Sequence, residues 1–343
     1  MSDIEGTMRV PYFEGRGVIS SREKAVPEVG LGQLLIAIKA NAICGSERGA
    51  FYEGSVCTPG HEAAGIVAAA GPGTSTAVGT PGVIFLMDYC GTCRSCRQGY
   101  TNQCLMKRGD MGFNRDGGYG PYELVHENIF FPINADLSLV EATLLLDIMG
   151  TGGHAIQRSK LVHKDIESIV VTGAGPIGLA VLAMAKITFG DDIPVLISDV
   201  STYRLALAEQ LGGMPIHLKE KTLLEGAKMH GLSSVDVAID TSGRKNARQE
   251  GLQLLAQRGV LVCVGHGEDL HLQVSPDLIA AERAVMGSEY FTYREFAANL
   301  ESLRQHRSYL RQIITHTYDV SEIQRAFELF FQGQTGKVVI THE

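Results

Sequence analysis

The sequence predicts an α/β protein of two domains, a compact and mostly β N-terminal domain followed by a doubly wound parallel sheet. Three observations carry this expectation. The 343 residues exceed what one hydrophobic core ordinarily serves and are enough for two. Between Ile169 and Asp199 a buried strand, a glycine-rich loop, a helix, a second strand and an acid follow one another, which is the order of a βαβ unit. Beyond Asp199 strand-like and helix-like segments keep alternating, as a parallel sheet with crossover helices requires.

In chain order, runs such as Leu34 to Ile38 and Gly65 to Ala69 read as strands of a glycine-rich first third. Ile169, Val170 and Val171 end a buried strand, and TGAGPIGLAVLAMAK follows with glycines at 173, 175 and 178. In such a GxGxxG loop the first glycine permits a tight turn, the second lets backbone approach a pyrophosphate and the third packs helix against strand. Pro176 and Ile177 complete the loop, and the helix amides behind it face the phosphates. Ile177, Ala180, Val181 and Met184 recur at helical spacing. Val195 to Ile197 form a second strand ending at Asp199, 21 residues past Gly178. A carboxylate there accepts both ribose hydroxyls and repels a 2′-phosphate, so NAD is expected over NADP, with Arg204 acting against that preference. Arg204 to Leu211 reads as helix, Val235 to Ile239 and Gly259 to Gly265 as strands, and Asn246 to Ala256 as the helix between them. Val264, in the last of these strands, joins the expected cofactor-binding set. Val320, Ile323, Phe327 and Phe330 mark an amphipathic helix stopped at Gly333, and Val338 to Thr341 a final strand.

Composition narrows the partners. Apolar residues at 45% and charged residues at 20% exclude a disordered or fibrous chain. With 30 Lys and Arg against 38 Asp and Glu the formal charge is −8, so no overall positive field gathers nucleic acid or an anionic membrane. Small molecules are the expected partners. MSDIEGTMRV has no apolar stretch behind a basic head, so no secretory leader is expected and a cytoplasmic location follows by default. The longest uncharged run, Ser168 to Ala185, is interrupted by Gly173, Gly175, Pro176 and Gly178 and is not read as a membrane span.

Seven cysteines in a reducing compartment are read as metal ligands or nucleophiles before disulfides. Cys90, Cys93, Cys96 and Cys104 fall within the fifteen residues CGTCRSCRQGYTNQC. Two-residue gaps let one turn wrap three thiolates around a zinc ion before a short loop returns the fourth, giving a closed structural site. Four thiolates on a dication leave roughly two negative charges, and Arg94, Arg97, Lys107 and Arg108 are near enough in sequence to offset them. The N-terminal third holds two further polar groups, Cys44-Gly45-Ser46-Glu47 and Gly60-His61-Glu62. Either alone reads first as an inert core thiol or a satisfied core histidine.

Taken together and in this order, these motifs resemble the zinc-dependent medium-chain dehydrogenase/reductase family, within it most of all the L-threonine 3-dehydrogenases and the sorbitol and xylitol dehydrogenases. VTGAGPIG, ISDVSTYRLALAEQLGG, GFNRDGGYGPYELV and IITHTYDVSEIQRAFELFFQGQTGKVVI carry the likeness. The resemblance implies a GroES-like catalytic domain over residues 1–148 and 289–343, with a structural zinc lobe at 90–104, and a Rossmann NAD-binding domain over 149–288. It implies two zincs per chain. The catalytic zinc would sit on Cys44 and His61, with Glu62 ligating or exchanging with water, and with Asp147 where relatives carry an acid. Ile148 stands where a proline usually follows that acid. Ser46 matches a hydroxyl that passes the alcohol proton outward, and Glu47 a carboxylate, usually Asp, that orients the ligand histidine. Relatives that finish the proton path with a histidine have it where this chain has Gly49. The implied activity is NAD-dependent oxidation of a secondary alcohol in a small polar substrate, a polyol, sugar or hydroxy-amino acid, to the ketone, by a homo-oligomer, a tetramer before a dimer. The sequence leaves two other classes open: a zinc-free NADPH-linked reductase on the same scaffold, and a non-catalytic NAD- or zinc-binding protein.

Overall fold

A computed structural model describes residues 6–343, so the first half of the expected leaderless N-terminus, residues 1–5, lies outside the described residues. Six strands form a parallel sheet in the order Met214–His217, Val195–Asp199, Ile169–Thr172, Val235–Asp240, Leu255–Cys263, Ala284–Gly287. This is the 3-2-1-4-5-6 order of a doubly wound fold, whose crevice opens at the carboxyl ends of strands 1 and 4 where the winding reverses. Ile169 to Thr172 pair in register with Val195 to Ser198 on one side and Val237 to Asp240 on the other. All four residues of that central strand are buried, as expected for a strand covered on both faces.

The other large sheet is mostly antiparallel and runs Ile314–Asp319, Lys337–Thr341, Gln33–Ala42, Ala63–Ala70, Pro81–Ile84, Phe130–Pro132, with Tyr122–His126 also pairing Gln33–Ala42. The last strand of the chain thus returns to the first sheet, Val339 opposite Ala42 and Thr341 opposite Ala40. One apolar core joins the two sheets: Ile36, Val67 and Leu144 belong to the same buried cluster as Val171, Leu179 and Ile239. Among the described residues no helix is long and apolar enough to cross a membrane.

Local rules explain where elements begin and end. The helix expected at Arg204 starts at Thr202, because the Ser201 hydroxyl accepts the Arg204 amide at 3.3 Å and so caps the first turn. The strand expected from Gly259 is entered at Leu255, directly after the Lys245–Leu254 helix, and its register slips before Val260. Arg258 sits there at φ +63, a left-handed residue that absorbs the extra length as a bulge. The amphipathic helix near the end occupies Ile323–Phe331, preceded by a 3₁₀ turn at Val320–Glu322 and followed by Gly333 at φ +74.

Candidate functional site

Strand pairing brings the first two polar groups together. Asn41 lies opposite Ala63, and the Ala42 amide donates to the Glu62 carbonyl at 3.1 Å. The chain leaving one strand at Cys44 therefore passes the chain entering the other at His61. The neighbouring C-terminal strand reaches past the same end, where the Ile43 amide donates to the Val338 carbonyl at 2.8 Å, which brings Lys337 alongside. Asp147 comes from a third direction, on a single π-helical turn at Asp147–Thr151 entered through Leu146 at ψ −105. Such π turns are uncommon and concentrate at functional positions.

Cys44, His61, Glu62 and Asp147 each offer one ligand atom, and these atoms all lie within 4.8 Å of one another. All four residues are buried. His61 Nε2 is 3.8 Å from Asp147 Oδ2, and on the other edge of its ring Nδ1 is 3.3 Å from Glu47 Oε1. Thr151 donates its hydroxyl to Asp147 Oδ1 at 3.0 Å. The Lys337 ammonium pairs with Glu62 Oε1 and stands 3.9 Å from Asp147 Oδ2, with none of its side chain exposed. Phe113, partly exposed, lays its ring 4.9 Å from that of His61 and walls the site.

Charge explains these choices. Burial opposes ionisation of Asp147, but the His61 imidazole and the Lys337 ammonium outweigh it and hold the carboxyl well below its ordinary range. Burial likewise opposes a charged imidazole, yet Asp147, Cys44 and Glu47 together keep the His61 pKa well above normal. The Cys44 thiol is pushed up, by burial first and by Asp147 second. Lys337 keeps its proton against burial because Glu62 and Asp147 face it. A buried group this acidic needs a cation. The donors present fit a divalent metal: a sulfur, an imidazole and carboxylates within ligand range, with the buried Glu62 Oε2 lacking a hydrogen-bond partner.

The four-cysteine lobe also closes on itself. Cys90, Cys93, Cys96 and Cys104 form the other group of potential metal ligands among the described residues. Backbone amides serve the sulfurs: Thr92 and Cys93 donate to Cys90 at 3.4 and 3.3 Å, Leu105 to Cys93 at 3.4 Å, and Cys90 to Cys104 at 3.3 Å. The Thr92 and Cys93 amides lower the Cys90 pKa to about 6. Two of the basic residues expected to offset the thiolates are engaged by carboxylates, Arg108 with Asp88 at 2.6 Å and Lys107 with Asp110 at 2.7 Å. Main-chain dipoles perform much of the role assigned to side chains.

At the coenzyme crevice Gly173 has φ +94, and a Cβ on Gly178 would lie 1.8 Å from the Gly173 carbonyl oxygen. Pro176 opens the helix, while Ile177 packs against the core. A Cβ on Gly175 would meet only Arg204 Nη1, at 3.8 Å, so the backbone is open there. Asp199 accepts the Ala174 amide at 2.7 Å and those of Val200 and Ser201 at 2.7 and 2.8 Å. Arg204 donates to the Thr335 and Phe330 carbonyls at 3.1 and 3.3 Å, so it ties the crevice to the C-terminal segment. Val264 is half-buried and donates its amide to the Asp240 carbonyl at 2.8 Å. Ser46, two residues past Cys44, is exposed, and nothing lies within 4 Å of a Cβ placed on Gly49.

Residues 30–135 match the alcohol dehydrogenase GroES-like domain family, and residues 151–341 match the family described as glucose dehydrogenase C-terminus. The chain belongs to the zinc-type medium-chain dehydrogenase/reductase family. It is 29% identical to the zinc-type alcohol dehydrogenase-like protein YphC of Escherichia coli K12, over 97% of this chain and 98% of that one. An L-threonine 3-dehydrogenase of Shewanella pealeana is 30% identical over 92% and 93% of the two chains. Among solved structures, an E. coli CFT073 alcohol dehydrogenase complexed with NADH superposes with a TM-score of 0.87 at 22% identity, covering 98% and 99%. This dehydrogenase-family chain is an alcohol dehydrogenase-like oxidoreductase with a GroES-like domain and a Rossmann domain.

Sequence reasoning missed Lys337 and Tyr119. Lys337 had a signal: it heads the strand KVVIT, the first four residues of which are wholly buried, and a thiolate with two carboxylates calls for a compensating cation. Tyr119 donates its hydroxyl to Glu47 Oε2 at 2.7 Å, and no spacing in the sequence announces that contact. His154 pairs with Glu295 at 3.0 Å.

Proposed function

We propose that this chain is an NAD-dependent dehydrogenase that oxidises the secondary alcohol of a small polar substrate, a polyol, sugar or hydroxy-amino acid, at a zinc held by Cys44, His61 and the carboxylates of Asp147 and Glu62. The observation that carries the reading is the convergence of those four ligand atoms within 4.8 Å in a buried pocket. A divalent ion bound there supplies Lewis acidity, of the kind that lowers the pKa of water from about 15.7 to about 7 and makes hydride departure from an alcohol feasible.

The rest is done by the chain's own residues. Glu47 Oε1 stands 3.3 Å from His61 Nδ1, a negative neighbour that favours the proton on that edge and leaves Nε2, on the Asp147 side, free to ligate. Lys337 balances one carboxylate charge. Ser46 Oγ, exposed beside the site, takes the alcohol proton outward, and because Gly49 offers no side chain, water completes that route. The backbone at Gly173 to Gly178 receives the dinucleotide phosphates, and Asp199, whose Oδ1 takes two amides and Oδ2 one, keeps an acceptor site on Oδ2 for a ribose hydroxyl. The four-cysteine lobe holds a second, structural zinc.

Metal analysis of recombinant protein is expected to give two zincs per chain, and NAD reduction is expected with at least one member of a panel of polyols, sugars and amino alcohols. Tighter binding of NADPH than NADH in side-by-side titrations would instead favour the zinc-free reductase, and cofactor binding without turnover the non-catalytic class. The same preparation, expected to be a cytoplasmic homotetramer, is sized by light scattering.

A further inference from the structure

Three groups from separate parts of the chain meet the carboxylate of Glu47. Tyr119 donates its hydroxyl to Oε2 at 2.7 Å, and the backbone amide of Cys44 donates to the same oxygen at 3.2 Å. His61 presents Nδ1 to Oε1 at 3.3 Å. One carboxylate is therefore tied to the main chain of one expected ligand and to the ring of another. Neither Oε1 nor Nδ1 makes a hydrogen bond elsewhere, and each has the other as a polar neighbour at 3.3 Å, so rotation of the carboxylate removes that neighbour from the imidazole.

The phenol opposes that rotation because it cannot move. Tyr119 is fully buried, its ring edge-on to Phe327 at 5.6 Å and stacked with Phe13 at 6.0 Å. Its backbone also closes the turn that delivers His61. The Tyr119 amide donates to the Pro59 carbonyl at 3.1 Å, and a Cβ on Gly60, which has φ +104, would lie 2.8 Å from that same nitrogen. Glutamate has one more rotatable bond than aspartate, and the hydroxyl supplies the additional anchor which that bond requires.

We propose that Tyr119 is a positioning residue for the metal centre, fixing through Glu47 the orientation of His61 toward Cys44 and Asp147. The inference rests on the proposed function's assignment of Cys44 and His61 as zinc ligands and extends it by one residue. It predicts a loss of metal affinity with no loss of fold, since Tyr119→Phe keeps the ring between Phe327 and Phe13.

The test is zinc competition against a chromophoric chelator, with Cys44→Ser marking the contribution of this centre. Groups that orient metal ligands typically contribute 10–100-fold to metal affinity. Tyr119→Phe is expected to weaken zinc binding about tenfold, and Glu47→Gln by about as much or more. The double variant is expected to be no weaker than Glu47→Gln alone, because the hydroxyl acts through that carboxylate. Should Tyr119→Phe fail to fold, Tyr119→Met serves instead: it fills the apolar site without a hydroxyl and must also bind zinc more weakly. Zinc affinity within twofold of wild type in whichever variant is read, or penalties that multiply in the double variant, overturns the role of Tyr119 alone. Zinc retained in full by Cys44→Ser overturns the metal centre itself, and this inference with it.

Discussion

The two four-ligand groups of this chain are built in opposite ways. Cys90, Cys93, Cys96 and Cys104 come from one short segment, lie near the surface and take their counter-charge from adjacent backbone amides. Cys44, His61, Glu62 and Asp147 come from three segments, are fully buried, and take their counter-charge from Lys337, 275 residues beyond its partner Glu62. The first is a closed set of like donors, suited to holding a loop in shape. The second mixes sulfur, imidazole and carboxylate beside a crevice and depends on distant parts of the fold. Contiguity serves structure, and convergence serves chemistry.

That contrast is open to test, beginning with the largest effect. Cys44→Ser is expected to lower NAD-linked turnover by about 10³-fold or more, with little change in Tm; a variant that still turns over ends the division of labour. Lys337→Met leaves Glu62 and Asp147 buried without their cation, and urea denaturation of the metal-free protein is expected to show a loss of about 3–5 kcal/mol. Cys93→Ser is expected to behave inversely to Cys44→Ser. It should remove one zinc per chain by metal analysis and lower Tm by about 5 °C or more, through the fold. Gly49→His, at a position with open space, supplies the ring that the proton route lacks and is expected to raise kcat a few-fold near neutral pH.

The smallest effect concerns a pair whose arginine is exposed and whose glutamate is covered, in contrast with Lys337 and Glu62, both wholly buried. Arg307 donates to both oxygens of Glu141, at 3.0 and 2.5 Å, and holds its carboxyl below the ordinary 4.5. A depressed folded pKa contributes stability that is complete above the unfolded value and is lost as pH falls through the folded one. Glu141→Gln is therefore expected to be slightly less stable than wild type at pH 7, with the difference shrinking as pH falls through the depressed folded value. Solvent screening keeps the difference small.

The coenzyme sheet was legible because its signals are local. Gly173 is needed where it stands by turn geometry and Gly178 by close packing, Gly175 leaves the backbone open, and Val195 to Asp199 follow at the distance one crossover helix demands. The lobe was legible for the same reason. At the proposed catalytic centre each expected ligand was nameable from a motif, but the partners were not. Tyr119 and Lys337 reach Glu47 and Glu62 only after the sheet has formed, and the offset of thiolate charge by backbone amides depends on loop conformation. The boundary misplaced near Gly259 has a similar origin, since the bulge at Arg258 is set by pairing with Val235 and Val237.

By itself the order of residues determined the fold class, the nucleotide loop, the cysteine lobe and the identities of the expected ligands, because each depends on chemistry repeated within a few turns of chain. Tertiary structure alone decided that a lysine from the last strand would neutralise an acid beside the first, and that a tyrosine would brace a histidine through a glutamate. Those contacts form where strands distant in sequence are hydrogen-bonded side by side, and burial makes each unpaired charge too costly to leave without its partner.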